Sequence, residues 1–137
     1  MPPSDDNAGT GYLTSESRPD TIEVPAITLD EHAQETRLTR LDMIKMDIEG
    51  AEVSALQGAR ETICRYRPLV AVEYNRVPCR RAGTSVEELD ALLDTLDYDR
   101  YTFLGRLQRF RMDTFRQMPD AEAVLNVYCY PRRGGRP

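Results

Sequence analysis

The sequence predicts an α/β fold in which parallel strands alternate with helices. An apolar run over 41–48 ends at acidic residues and Gly50, and apolar residues then recur every three or four positions up to Ile63. This is the pattern of a strand buried on both faces, followed by an amphipathic helix. Pro68 ends the helix, and a second apolar strand follows over 69–72. Strand, acidic turn, helix and strand in this order indicate a βαβ unit.

The flanking segments complete the predicted elements. Thr84 or Ser85 caps the next helix, whose buried stripe is Val86, Leu89, Leu92, Leu93 and Leu96. Segments 98–104 and 123–130 are rich in aromatic and β-branched residues, as strands are. Upstream, 22–28 reads as a short strand segment, and Asp30 reads as the N-cap of a short helix over 31–38. We therefore expect about four strands in addition to the 22–28 segment.

Acidic residues follow the first two predicted strands. Asp47 ends the first strand, and Glu73 and Asn75 end the second. The carboxyl ends of parallel strands meet at one edge of a sheet, and ligands bind there in open α/β folds. Two interpretations remain open for Asp47, Glu49 and Glu52: they serve a ligand, or they stabilise the following helix N-terminus.

Three blocks of the chain resemble the second half of an FkbM-type methyltransferase. They are VPAITLDEH at 24–32, LDMIKMDIEGAEVSALQGARETI at 41–63 and RPLVAVEYN at 67–75, and the resemblance extends over roughly 24–130. That family is characterised by an IKxDxEGAE block. The resemblance implies a Rossmann-like class I methyltransferase fold, S-adenosylmethionine as methyl donor, and a hydroxyl of a sugar or other small metabolite as acceptor.

The first part of such a domain is missing from the predicted elements. A complete domain of this class begins with a strand, a glycine-rich loop and a helix that hold the donor. Before Thr21 only Gly9 and Gly11 occur, without an apolar strand. We therefore expect a flexible leader over 1–20, the C-terminal half of a methyltransferase domain over 21–131, and a flexible basic tail over 132–137. This incomplete fold, lacking the N-terminal donor-binding strands, is expected to be inactive alone, and to associate with itself or with a complementing N-terminal half.

Methyl transfer from a sulfonium requires alignment of the acceptor and removal of its proton. By the resemblance, Asp47 is the expected catalytic base and also lies beside the cofactor, and Glu73 supports it. The residues expected around the acceptor are Lys45, Glu49, Glu52, Tyr74, Asn75 and His32. Beyond the alternatives for Glu49 and Glu52 given above, three more remain open. Lys45 also fits a position from which it reaches past the sheet edge to a carboxylate, His32 also fits an exposed helix start, and Tyr74 also fits packing beneath a loop.

Two other classes of function remain. The oxygen ligands of Asp47, Glu73 and Asn75 would suit magnesium, either in a methyltransferase or in a magnesium-dependent phosphoester or nucleotide enzyme. The alternative is that these groups form a polar rim without a metal ion. A non-catalytic remnant or interaction module predicts instead that the unpaired first strand is covered by a partner, because exposed strand edges promote pairing.

Composition restricts the remaining possibilities. The chain has a formal net charge of −5. The basic tail with Arg132, Arg133 and Arg136 lacks the density and aromatic residues of a nucleic-acid surface. No apolar stretch approaches membrane-spanning length, no signal peptide is evident, and the widely spaced cysteines indicate neither a disulfide framework nor a zinc site. We expect a soluble cytoplasmic protein with neither nucleic-acid nor membrane partners.

Overall fold

The computed structural model describes residue 19, residues 21–120 and residues 123–132. Nearly all of the predicted leader, including Gly9 and Gly11, lies outside these residues, as does the tail beyond Arg132. Within the described part of the chain no helix is long and apolar enough to cross a membrane.

The described strands form one mixed sheet. They are β1 (Met43–Met46), β2 (Leu69–Asn75), β3 (Tyr98–Phe103), β4 (Leu107–Arg109) and β5 (Val124–Pro131), in the order β1-β2-β5-β3-β4. β1 and β2 are parallel, as the sequence predicts, but β5 inserts between β2 and β3 and runs antiparallel to both. The prediction of a parallel sheet therefore holds only for the first pair.

Two strand assignments also differ from prediction. Residues 22–28 form no strand, so the short segment expected there is absent. β4 was not predicted; it pairs with β3 through a tight turn in which Gly105 has a φ of 73°. Glycine adopts that left-handed conformation without steric cost, which allows the chain to reverse within a few residues.

The described chain also contains six helices, of which the first precedes β1 and the others lie between strands. They are α1 (Leu29–Glu35), α2 (Glu52–Gln57), α3 (Arg60–Tyr66), α4 (Arg76–Arg81), α5 (Val86–Thr95) and α6 (Met112–Arg116). The single helix predicted after β1 is instead broken at Gly58 into α2 and α3, and α4 and α6 were not predicted. The α5 prediction is confirmed, because Ser85 caps it and forms a capping box with Glu88.

The cap of α1 corrects a second prediction. Thr28, not Asp30, is the N-cap, and it forms a capping box with Glu31. The Asp30 carboxylate instead accepts hydrogen bonds from the backbone N–H groups of Glu61 at 3.1 Å and Thr62 at 2.8 Å. These groups lie in the first turn of α3, whose own N-cap side chain makes no such bond. Asp30 therefore caps α3 from a distant part of the chain and fixes α1 beside it.

The two faces of the sheet are unequally covered. On one face, Val70, Val72, Tyr74 and Val127 are at most 1% exposed and pack with apolar residues of α2, α3 and α5. The strand registers place five exposed apolar residues together on the opposite face, which we call the open face. They are Met43, Phe103, Leu107, Val124 and Tyr130, with 41% to 62% of each exposed.

β1 lies at the border of this open face. It is the terminal strand of the sheet, and Met43 is 49% exposed. The prediction that this strand is buried on both faces is therefore wrong for the described residues. Its outer edge pairs with no other strand of the described chain.

Candidate functional site

The loop after β1 brings the acidic residues of the chain to the carboxyl edge of the sheet. Asp47 follows β1 directly. Glu49 and Gly50 then adopt positive φ values of 53° and 107°. Such left-handed conformations reverse the chain tightly, so that α2 begins at Glu52, immediately after the loop.

Glu52 holds this loop together. Its side chain is only 2% exposed. One carboxylate oxygen accepts a hydrogen bond from the Ile48 N–H at 3.1 Å, and the other accepts one from the Gly50 N–H at 3.0 Å. Both oxygens are thus directed at the backbone of the loop. This geometry favours the structural interpretation of Glu52 over the predicted contact with substrate.

Gly50 lies where no other residue fits. A Cβ atom at this position would lie 2.4 Å from the carbonyl oxygen of Pro78 in α4. The sequence predicts close packing or an unusual dihedral angle for Gly50, and the structure has both. The acidic loop therefore packs directly against α4.

Asp47 and Glu73 form a pair of neighbouring carboxyl groups. Their strands are in register up to Met46 and Val72, so the two acids follow as neighbours at the edge. The pKa of Glu73 is raised, first by burial and then by the charges of Asp47, Glu49 and Glu52 and a hydrogen bond with Asp47. Glu73 therefore holds a proton more readily than an ordinary glutamate, and the pair can share one.

Two cationic side chains balance the charge of the acidic edge. The Lys45 ammonium lies 2.9 Å from Asp47 Oδ2 and is exposed, on the same face of the sheet. Arg81 of α4 lies 3.5 Å from Glu49 Oε2. Through this ion pair Glu49 connects the acidic loop to α4 at the carboxyl edge of the sheet.

The other predicted site residues lie in different surroundings. Tyr74 is fully buried, and its hydroxyl donates to Asp90 at 3.0 Å, as expected of a tyrosine that packs in the core. Asn75 caps α4 by accepting a hydrogen bond from the Val77 N–H at 3.2 Å. His32 is exposed on α1, which packs against α3 rather than against the acidic loop. The described structure does not bring His32 to the Asp47 and Glu73 pair.

Sequence reasoning missed two parts of this edge. α4, with Arg81, was not predicted, although Asn75 followed by Pro78 in the first turn is a sequence signal for a helix start. Asn126 of β5 is the register partner of Glu73 and is exposed beside it. Only the insertion of β5 next to β2 places it there, and no local pattern in the sequence indicates that insertion.

The magnesium interpretation finds no support. Among the described residues, no group of three or more His, Cys, Asp or Glu side chains is placed to hold a metal ion. Two of the oxygen ligands that the sequence suggested already have partners. Asp47 forms an ion pair with Lys45, and Asn75 caps α4.

In open α/β sheets, ligands bind in the crevice at the carboxyl ends of parallel strands, and Asp47 and Glu73 lie at this edge. The model of the methyltransferase FkbM domain matches residues 2–101. The chain therefore belongs to the FkbM methyltransferase family, as its sequence blocks predict. The match begins within the segment predicted as a leader, and ends in β3. No curated protein and no solved structure matches the chain.

Proposed function

We propose that this protein takes part in S-adenosylmethionine-dependent methylation of a hydroxyl group on a sugar or another small metabolite. The proposal rests on membership of the FkbM family and on one observation, the Asp47 and Glu73 pair at the carboxyl edge of the sheet. The donor, when bound, supplies a methyl group on a positively charged sulfur with a good leaving group.

The charge of the edge suits that donor in part. Lys45 and Arg81 pair with Asp47 and Glu49, but the four carboxyl groups of the edge outnumber these two cations, and the excess of acidic groups favours a sulfonium cation. The amino-acid and ribose parts of the donor require further hydrogen-bonding groups, for which a glycine-rich loop is the usual source. No loop of the described residues contains two glycines.

Asp47 is the proposed base. Half of its side chain is exposed, so an acceptor hydroxyl can reach it. The carboxylate would accept a hydrogen bond from that hydroxyl and take its proton as the oxygen gains a methyl group. Glu73, with its raised pKa, would share the proton, and Lys45 would hold the Asp47 carboxylate in place.

We further propose that a complementing N-terminal half of the domain, supplied by a partner polypeptide, covers β1 and the open face and completes the donor site. Asp42 O accepts from Leu69 N–H, so alternation along β1 directs the N–H groups of Met43 and Lys45 away from β2. Unpaired strand edges and exposed apolar patches are common docking sites. Alternatively, a second copy of this chain would cover the edge of β1 by self-association.

Methyl transfer is tested by incubating the chain, alone and with an added N-terminal half of the domain, with S-adenosylmethionine carrying a labelled methyl group and a panel of sugar and small hydroxyl acceptors. Absence of transfer in both mixtures would contradict the proposed methylation. Transfer that falls at least about tenfold in Asp47→Asn, but not in Glu35→Gln, would support the proposed base. Glu35 is an exposed acid at the end of α1. Equal activity of Asp47→Asn and the wild type would contradict the assignment.

Covering of β1 is tested separately, by amide hydrogen exchange and light scattering on the full chain. Slow exchange at Met43 and Lys45 that appears only when an N-terminal half of the domain is added would indicate a partner polypeptide. Slow exchange only in a dimer would indicate self-association. Fast exchange at both amides in every state, with and without donor, would contradict the covering proposal.

A further inference from the structure

A pocket of about 480 Å³ lies between the end of α1 and the last turn of α3. Its lining residues are Ala33, Gln34, Arg37, Leu38, Thr39 and Arg65. The Tyr66 hydroxyl donates to Leu38 O, so the pocket lies where α3 leads into the start of β2, away from the acidic loop at the other end of β1. We propose that this pocket binds the phosphate group of a small phosphorylated molecule.

The two arginines of the pocket lack the partners that most other arginines have. Nine arginines of the described residues form ion pairs with carboxylates. Arg37 and Arg65 form none with any described residue, although the chain has more acidic than basic residues. Two arginines that line one pocket, with no carboxylate among the lining residues, are suited to bind an anion.

Helix capping does not account for Arg37. Arginine near a helix C-terminus often donates to the last carbonyl groups. At the end of α1 those carbonyls are already satisfied by backbone, because Leu38 N–H donates to Ala33 O at 2.9 Å and Arg37 N–H donates to Gln34 O at 3.1 Å. The guanidinium of Arg37 therefore remains available for a ligand.

Arg37 also occupies a backbone position that favours glycine. Its φ is 51°, in the left-handed region, at the position after the helix where glycine is commonest. A glycine at this position would remove the steric strain of a Cβ atom. This difference provides a way to separate a structural role of Arg37 from a binding role.

The remaining lining suits a phosphate with an organic part. Arg65 is held with its guanidinium 5.2 Å from the centroid of the Tyr66 ring. Gln34 and Thr39 supply uncharged hydrogen-bond donors, while Ala33 and Leu38 supply apolar surface. The volume lies in the range of small-molecule sites and exceeds what inorganic phosphate alone would fill.

The test is a calorimetric titration of the full chain with glycerol 3-phosphate, with succinate as a dicarboxylate of similar size. We expect saturable binding of the phosphate ester and binding of succinate that is at least about tenfold weaker. The double variant Arg37→Gln with Arg65→Gln should lose at least about tenfold in affinity for glycerol 3-phosphate, since each charge-assisted hydrogen bond contributes about that factor.

Two further variants control for general effects. Arg106→Gln alters an exposed arginine in the β3–β4 turn and should leave binding within about twofold of wild type. Arg37→Gly should unfold at a higher temperature than wild type but bind at least about tenfold more weakly. Absence of saturable binding by the wild type, equal binding of succinate, equal weakening in Arg106→Gln, or full binding by Arg37→Gly would overturn the proposal.

Discussion

Replacing Glu52 by alanine should destabilise the fold far more than replacing its neighbour Glu49. Glu52→Ala removes the acceptor of two backbone N–H groups, those of Ile48 and Gly50, in a buried position. A hydrogen bond to a charged group contributes about 1.5–3 kcal/mol, and an unsatisfied buried donor costs a similar amount. Water can still bind the N–H group of the half-buried Ile48, which reduces the cost of losing that hydrogen bond. We therefore expect a loss of about 3 kcal/mol in the free energy of unfolding.

The matched control is Glu49→Ala. Glu49 forms a partly exposed ion pair with Arg81 and has no buried acceptor role, so its replacement should cost at most about 1 kcal/mol. Urea denaturation followed by circular dichroism gives both values, and the thermal midpoint of Glu52→Ala should fall by about 10 °C. Equal losses in the two variants would refute the view that Glu52 organises the loop, and would return it to the candidates for acceptor binding.

Three further outcomes follow from single contacts. Gly50→Ala should cost at least about 2 kcal/mol in urea denaturation, since its Cβ would lie 2.4 Å from Pro78 O at a φ of 107°; an unchanged midpoint would contradict that packing. Because the folded-state pKa of Glu73 is raised, the folded state binds more protons than the unfolded state, so stability falls as pH rises from the ordinary glutamate pKa through the raised one. Glu73→Gln should therefore gain stability over wild type as pH rises through that window, and a difference independent of pH would contradict the raised pKa of Glu73. Asp30→Ala should cost about 1 kcal/mol by removing the cap of α3, measurable by the same denaturation; a loss confined to α1 in amide exchange would contradict capping across elements.

Local patterns in the sequence identify the elements that local interactions stabilise. β1, β2 and α5 appear where apolar spacing predicts them, and Ser85 forms the predicted cap. The carboxyl-edge argument likewise brings Asp47 and Glu73 together, because the register of two neighbouring parallel strands is enough to place both acids.

Long-range contacts decide what local patterns leave open. Asp30 looks like the N-cap of its own helix, but its carboxylate reaches Thr62, thirty-two residues along the chain. Tyr74 follows Glu73 and so appears near the ligand edge, yet alternation along β2 directs it into the core, toward Asp90. β5 inserts between strands that precede it in the chain, and no periodicity specifies that position.

The position of the acidic pair connects the proposed site to the open face. Met43, Lys45 and Glu73 lie on the same side of the sheet. Met43 and Lys45 pair with Leu69 and Ala71 of β2, and Glu73 lies two residues after Ala71, on the same face. A segment that covers this side would reach the border of the acidic edge and exclude water from it. Exclusion of water would raise the pKa of Glu73 further, because burial is already the largest cause of its shift. On this proposal Glu73 would hold its proton more firmly beside Asp47 when the open face is covered, so the covering segment would affect both donor binding and the surroundings of the proposed base.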